Sequence, residues 1–217
     1  MNPRLALALS KAKKNAVPKA SIEAAIARGQ GLSPSGAALE SITLEAMLPP
    51  SIATVIEGQT DSKLKLLADL RLLVKEAGGN VSGVGYMFEK KGRIIFRPKE
   101  GISADDVLDP ALDEEGVLDV TEDEQGRVMV FTEPAQTKTV AETLAKDLEL
   151  EIEDTEIIWD PNEDTKVPVD SEETAQQLSD FMDEVHEVTG VQGVYTNWSK
   201  GAISDETWAN LRSKVSA

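Results

Sequence analysis

Residues 78–96 restrict the possible folds more than any other stretch, because they combine a helix stop, a loop and a predicted β-hairpin. The glycine pair 78–79 ends a Leu-rich helical pattern, since glycine adopts the left-handed conformation after a helix without a Cβ clash. Two apolar runs, 86–88 and 94–96, flank the polar segment Lys90-Lys91-Gly92-Arg93. Such a pattern is typical of two antiparallel strands joined by a turn. We therefore predict a hairpin here.

The order of elements around this hairpin predicts an insertion. Strand patterns at 41–48 and 52–57 precede the Leu-rich helix, so the chain reads β-β-α-β-β up to residue 100. A sheet of this kind needs a second helix on the same face and a closing strand. A helical pattern from Ser171 and a strand pattern at 191–198 supply both. The intervening residues carry their own helix, hairpin and strand patterns, which indicates a second α+β unit.

We therefore predict an α+β protein with an incomplete N-terminal helical segment and one domain inserted into another. The inserted domain interrupts a central ferredoxin-like domain, a βαββαβ-like sheet with an extra strand. The predicted parts are a basic helical domain at 1–38, the central α+β domain at 39–100 plus 169–200, the acidic inserted domain at 101–168 and a C-terminal tail at 201–217.

Charge is distributed very unevenly along the chain. The formal net charge is −17, but residues 101–170 hold 22 acidic and 4 basic residues, whereas residues 1–31 hold six basic residues and one acidic residue. A basic segment of this kind attracts phosphates, while the acidic segment repels them. Solvated surface lysines are the alternative interpretation.

Two short amphipathic helices are predicted at the basic N-terminus. Pro3 suits a first helical position, Leu5, Leu9 and Ala12 form an apolar stripe, and Pro18 begins a second helix. The pattern also suits a transit peptide, but two capped helices favour folded structure. The candidate contacts to nucleic acid or ribosome are Arg4, Lys11, Lys13, Lys14, Lys19 and Arg28, with Lys90, Lys91 and Arg93 as secondary candidates at the predicted hairpin turn.

No catalytic or metal-binding pattern is convincing. Cysteine is absent, which excludes disulfides and thiolate chemistry, and His186 is the single histidine. His186 with Asp183 and Ser179 could be imagined as a catalytic triad, but one helix face provides no nucleophile geometry. We expect no enzyme activity, no cofactor and no metal. No stretch is long and apolar enough to predict membrane insertion.

Six short segments along the chain form a specific combination: Asn2-Pro3-Arg4-Leu5 through Ala12-Lys13, Asn15-Ala16-Val17-Pro18-Lys19, Ile22-Glu23-Ala24-Ala25-Ile26-Ala27-Arg28-Gly29, Gly78-Gly79-Asn80, Met87-Phe88-Glu89-Lys90-Lys91-Gly92 and Val191-Gln192-Gly193-Val194-Tyr195-Thr196-Asn197. Together, and in this order, they resemble the YebC family. The family includes the bacterial YebC and PmpR proteins and the mitochondrial translational activator of cytochrome c oxidase subunit I. The resemblance implies three domains, the third inserted into the second.

The sequence also departs from the family pattern. The family's basic opening segment, of the type GHSKWxxIKxxK, is absent, which predicts that the first domain is incomplete. Thr60-Asp61-Ser62-Lys63-Leu64-Lys65 stands where the family commonly has TDNxNRT, and Met47-Leu48-Pro49-Pro50-Ser51 stands where it has YGPGG. A diverged organellar member would explain these differences.

The resemblance leaves two functions open. The first is a translation factor of the translational-activator type, acting in the mitochondrion on the ribosome, its rRNA or an mRNA. The alternative is a DNA-binding transcriptional regulator of the bacterial YebC/PmpR type in the cytoplasm. We expect a monomer in either case.

Overall fold

The computed structural model describes residues 3–32, 38–123 and 125–216, although the side chains of Pro3, Arg4 and Leu7 lie outside the description. The helices are α1 (Pro3–Lys14), α2 (Lys19–Gly29), α3 (Lys63–Glu76), α4 (Ala104–Leu112), α5 (Thr137–Asp147), α6 (Glu172–Glu187) and α7 (Asp205–Arg212). The strands are β1 (Glu40–Leu48), β2 (Ile52–Thr60), β3 (Asn80–Val81), β4 (Phe88–Phe96), β5 (Val117–Glu122), β6 (Val128–Thr132), β7 (Ile152–Pro161), β8 (Val167–Val169), β9 (Val191–Thr196) and β10 (Trp198–Lys200).

The chain divides into two compact units. The first contains the residues up to Met87 together with Glu163–Ser216, and the second contains Phe88–Asn162. The boundaries predicted from the sequence lie later, at 100/101 and 168/169. The first unit is thus built from two separate stretches of chain, and the second from the stretch between them.

The first unit is a four-stranded sheet with helices packed on it. Its strand order is β3-β1-β2-β9, and all three pairings are antiparallel. The inner face of α3 contributes Leu66, Leu70 and Val74 at intervals of four residues, which places them on one side of the helix. These side chains share a buried core with the sheet and with α6. The predicted tail belongs to this unit as well, because Leu211 of α7 is fully buried in the same core.

Hydrogen bonds hold the two loops at which the chain leaves and re-enters the first unit. The Glu45 carboxylate accepts from the backbone N–H groups of residues 84–85, both at 2.7 Å. The Thr165 hydroxyl donates to the Met87 carbonyl at 3.2 Å, and the buried Asn197 amide donates to the Thr165 carbonyl at 2.6 Å. These bonds hold together the points where the chain leaves and re-enters the unit.

The second unit has the ferredoxin-like topology. Along the chain its elements follow the order β4-α4-β5-β6-α5-β7, and the strand order in the sheet is β5-β6-β4-β7 with antiparallel pairings throughout. Helices α4 and α5 cover one face, where Val107, Val140 and Leu144 join a buried core with Ile94 and Phe96 of β4. The βαββαβ arrangement predicted for the central domain is therefore found in the second unit. The α+β class itself is confirmed.

The predicted hairpin at 86–96 is wrong. β4 runs without interruption from Phe88 to Phe96 and pairs with β6 on one side and β7 on the other. Gly92, which suggested a turn, lies inside this strand, where a Cβ atom would overlap the hydroxyl groups of Thr132 and Thr137. The glycine therefore marks the close approach of α5 to the sheet. The sequence pattern of one strand with polar residues in its middle is similar to that of a hairpin. The two cannot be distinguished locally when the strand's partners lie far away in the sequence.

Candidate nucleic-acid interface

Helices α1 and α2 form a hairpin with a left-handed residue between them. Ala16 has a φ of 54°, and the Val17 N–H donates to the Ala12 carbonyl at 3.0 Å, which closes the end of α1. Pro18 then precedes α2 with an extended ψ of 139°. The apolar sides of the two helices line a groove of about 460 Å³, to which Leu9 and Ile22 contribute. The amphipathic pattern predicted from the sequence is thus observed in the described residues.

Exposed lysines surround the turn of this hairpin. Lys13 and Lys14 lie in the last turn of α1, and Lys19 is the first residue of α2. The Lys19 side chain is 88% exposed and makes only a long 3.5 Å ion pair with Glu23. Such an exposed pair contributes little to stability. These ammonium groups are therefore available to a ligand.

The remaining basic candidates of the N-terminal segment differ from these lysines in exposure or in position. Lys11 also lies in the last turn of α1 but is half-buried, whereas Arg28 is exposed in the last turn of α2, about 14 Å along the helix from Lys19. The side chain of Arg4 lies outside the described residues. The structure thus places the exposed Lys13, Lys14 and Lys19 at the helix ends that flank the turn, and Arg28 at the other end of α2.

The secondary candidates lie in a strand, where they are bound by other side chains. Lys91 Nζ lies 2.8 Å from Asp160 Oδ2 and 3.3 Å from Glu89 Oε2. Burial by itself lowers the pKa of Lys91, but the hydrogen bond and charge of Asp160, with those of Glu89, raise its pKa overall. Lys91 therefore stays charged and paired.

The other two cations of β4 also contact side chains of the protein. Arg93 forms an ion pair with Glu156 on the neighbouring strand, and its Nε lies 3.1 Å from the same carboxylate. Lys90 Nζ lies 4.5 Å from the ring centroid of Trp159, which is a cation–π distance. These contacts give all three cations a structural role in the sheet, so we leave them out of the candidate interface.

A second set of exposed cations was missed in the sequence. Lys63, Lys65, Arg71 and Lys75 lie on α3 and are exposed, and none of them forms an ion pair within the part of the chain that the structure describes. The signal was present, because Arg71 and Lys75 are four residues apart and lie outside the inward stripe of Leu66, Leu70 and Val74. From the sequence, this helix was interpreted only as a Leu-rich pattern that ends at the glycine pair 78–79.

The second unit is electrostatically unsuited to bind phosphates. Residues 88–162 contain 21 acidic and 8 basic residues. In residues 1–31 the balance is reversed, with six basic residues and one acidic residue, so the local charge there favours a polyanion.

The residues of the imagined catalytic triad have a structural role. His186 Nε2 lies 2.6 Å from the Lys214 carbonyl oxygen, and the Asp183 carboxylate pairs with the Lys214 ammonium. The Ser179 hydroxyl accepts from the Asn210 side chain at 3.3 Å. Each of the three thus fastens the C-terminal segment to α6. Among the described residues, no group of three or more His, Asp or Glu side chains could hold a metal ion, and no helix is long and apolar enough to cross a bilayer.

A family model and two bacterial relatives match most of this chain. Residues 39–198 match the family described as "TACO1/YebC second and third domain". A probable transcriptional regulatory protein of Bifidobacterium animalis subsp. lactis is 32% identical over 97% of this chain and 81% of its own length. Another, from Persephonella marina, is 35% identical over 91% of this chain and 78% of its own.

A solved structure supports the fold. The crystal structure of the conserved hypothetical protein Aq1575 from Aquifex aeolicus superposes with a TM-score of 0.70 at 30% identity, covering 92% of this chain and 80% of that one. The names of the bacterial relatives match the transcriptional alternative considered from the sequence. They do not support the mitochondrial location, the ribosomal partner or the translational-activator branch. With the match over residues 39–198 and these relatives, the chain belongs to the TACO1/YebC family.

Proposed function

We propose that this protein is a DNA-binding regulator of transcription whose α1–α2 hairpin contacts the phosphate backbone. The observation that carries the proposal is the exposed group of Lys13, Lys14 and Lys19 at the helical turn, in contrast to the paired cations of β4. The names of the bacterial relatives support a transcriptional role. This function needs no catalytic residue, and for a regulator of the bacterial type it places the protein in the cytoplasm.

The chemistry of the hairpin makes the contact mainly electrostatic. Lysine ammonium groups bind phosphates as point charges, and phosphate contacts orient a protein on a duplex without reading its sequence. Base-specific contacts require side chains such as Arg, Asn or Gln directed into a groove. We therefore expect binding that depends strongly on salt and only modestly on sequence.

The test is a salt titration of binding to a short DNA duplex, followed by fluorescence anisotropy. The variant Lys13→Gln/Lys14→Gln/Lys19→Gln should bind about tenfold more weakly at physiological salt, and the slope of log K against log salt should fall by about 0.9 for each phosphate that is no longer neutralised. The control Lys138→Gln/Lys146→Gln/Arg212→Gln removes the same charge from exposed positions elsewhere and should bind as the unmodified protein does.

Two results would contradict the proposal. If the triple variant keeps the affinity and salt slope of the unmodified protein, the hairpin is not the interface. If the protein binds single-stranded or structured RNA tightly and shows no measurable affinity for duplex DNA, the transcriptional assignment fails although the hairpin can still be the contact.

A further inference from the structure

A furrow lies between helices α3 and α6 of the first unit. Two cavities of about 420 Å³ and about 520 Å³ lie along it, and Glu184 of α6 lines both of them, so they belong to one surface. The buried Leu178 and Phe181 line the first cavity, and the buried Leu66 and half-buried Leu73 line the second. The floor of the furrow is therefore apolar. A groove of this kind between two helices fits an apolar helical surface of a partner.

The rim of the furrow is acidic. The described residues that line the two cavities include one basic residue, Lys65, and six acidic residues, which are Asp61, Asp69, Glu76, Asp180, Glu184 and Glu187. All six are exposed, and the four other than Asp61 and Asp180 form no side-chain hydrogen bond or ion pair with any described residue. Asp180 and Glu184 are four residues apart on α6, so their charges repel each other and favour a cationic partner.

The other cations of α3 lie away from the furrow. Arg71 and Lys75 line neither of the two cavities. At 100° per residue, both lie at least about 100° around the helix from the line through Asp69 and Glu76. Helix α6 contains no lysine or arginine. The furrow therefore keeps its excess of negative charge, which attracts basic protein surfaces and repels nucleic acid.

The α1–α2 hairpin carries a complementary surface. Its apolar groove is lined by residues of the hairpin itself, and none of the described residues of α1 and α2 is buried. Lys13 follows the groove residue Leu9 by four positions and Lys19 precedes Ile22 by three, so both cations lie beside the groove. Glu23 is the single acidic residue of the two helices. The hairpin thus presents an open apolar groove with positive margins.

We propose that the α1–α2 hairpin of one molecule docks in the furrow of a second copy of this chain, whose own hairpin docks in the furrow of the first. The apolar groove of the hairpin covers the apolar floor of the furrow, and Lys13 and Lys19 face the carboxylates of its rim. Both surfaces are open within one chain, because no described residue of α1 or α2 lines the furrow. The reciprocal contact closes a symmetric dimer.

This dimer does not rest on the function proposed above, because it uses the hairpin lysines as charges for the protein's own furrow. The facing charges lie at solvent-exposed margins, where salt screens them over about 10 Å at 0.1 M ionic strength. We therefore expect dimerisation that increases with protein concentration and weakens as salt is added.

Charge reversal on each surface provides the test, measured by sedimentation velocity. The furrow variant Glu76→Lys/Glu184→Lys faces a basic hairpin with a basic furrow, and the hairpin variant Lys13→Glu/Lys19→Glu faces an acidic furrow with acidic groups. Each variant alone should dimerise at least about tenfold more weakly than the unmodified protein. An equimolar mixture should recover the dimer, since one of its two contacts is unmodified and the other has both charges reversed.

Three results would overturn the proposal. The unmodified protein could stay monomeric at high concentration and low salt, the furrow variant could dimerise as the unmodified protein does, or the mixture could fail to recover the dimer. The controls Asp109→Lys/Asp113→Lys on α4 and Lys138→Glu/Lys146→Glu on α5 change the charge equally at exposed positions and should dimerise normally. Circular dichroism verifies that every variant is folded.

Discussion

The lysines of the α1–α2 hairpin and the cations of β4 are chemically alike but differ in their surroundings. Lys13, Lys14 and Lys19 are exposed on two helices in which no described residue is buried. Lys91 and Arg93 lie in a central strand, where carboxylates of the neighbouring strand β7 hold them. The position of a basic residue in the sequence therefore says little about whether its charge is available to a ligand.

The same contrast applies to packing. The second unit has a closed core beneath its sheet, whereas the helical hairpin surrounds an open groove. Substitutions in the second unit should therefore alter stability, and substitutions in the hairpin should alter binding.

The largest difference between the two regions is expected in stability, when one glycine of each is replaced by alanine. Gly92→Ala should destabilise the protein by about 3 kcal/mol or more, because the methyl group would overlap the Thr132 and Thr137 hydroxyls. Gly29→Ala, where nothing lies within 4 Å of the added methyl group, should change stability by less than about 1 kcal/mol. Chemical denaturation measures both. Equal effects would contradict the contrast in packing.

Truncation of apolar side chains should also destabilise the second unit more than the helical hairpin, but by a smaller margin. Leu144→Ala removes a side chain that is fully buried under the second sheet and should cost about 2–4 kcal/mol. Ile22→Ala, in the half-buried groove of the hairpin, should cost about 1 kcal/mol or less. Denaturant midpoints at matched protein concentration report both. A larger effect for Ile22→Ala would show that the groove is covered in solution.

The ion pairs of β4 should contribute modestly to stability and not to DNA binding. Arg93→Gln should lower the free energy of unfolding by about 1 kcal/mol, since it leaves the half-buried Glu156 carboxylate without its partner. Its DNA affinity and salt slope should stay unchanged, in contrast to the lysine variant of the hairpin. A reduced salt slope for Arg93→Gln would return this residue to the interface.

The smallest expected effect is a pH dependence of stability that arises from Asp123 in the second unit. Burial by itself would raise the pKa of Asp123, but hydrogen bonds from the Arg127 backbone and guanidinium lower it below the usual 3.8. A lowered pKa in the folded state stabilises the protein above about pH 4, and this stabilisation is lost as the pH falls through the folded value. Asp123→Asn should therefore be less stable at pH 7, and the difference should shrink at acidic pH in denaturation experiments.

Some elements could be predicted from the local sequence, and others could not. The Leu-rich helix before the glycine pair 78–79, the helix from Ser171 and the closing strand at 191–198 were predicted correctly, because each follows from local periodicity. The exposed cations of α3 were not recognised, because a leucine-rich helix is ordinarily interpreted by its inward face alone. Gly92 was interpreted as a turn residue, since nothing nearby in sequence reveals that Thr137 packs against it.

The sequence by itself determined the α+β class, the helical periodicities, the polarised charge and the resemblance to the family, because each depends on composition or on neighbours a few residues apart. Tertiary structure alone decided that β4 belongs to the second unit and that its cations are paired. The physical reason is distance along the chain: Lys91 meets Asp160 across 69 residues and Arg93 meets Glu156 across 63. The lysines at the α1–α2 turn remain available to a ligand, because in the described structure no neighbouring strand places a carboxylate beside them.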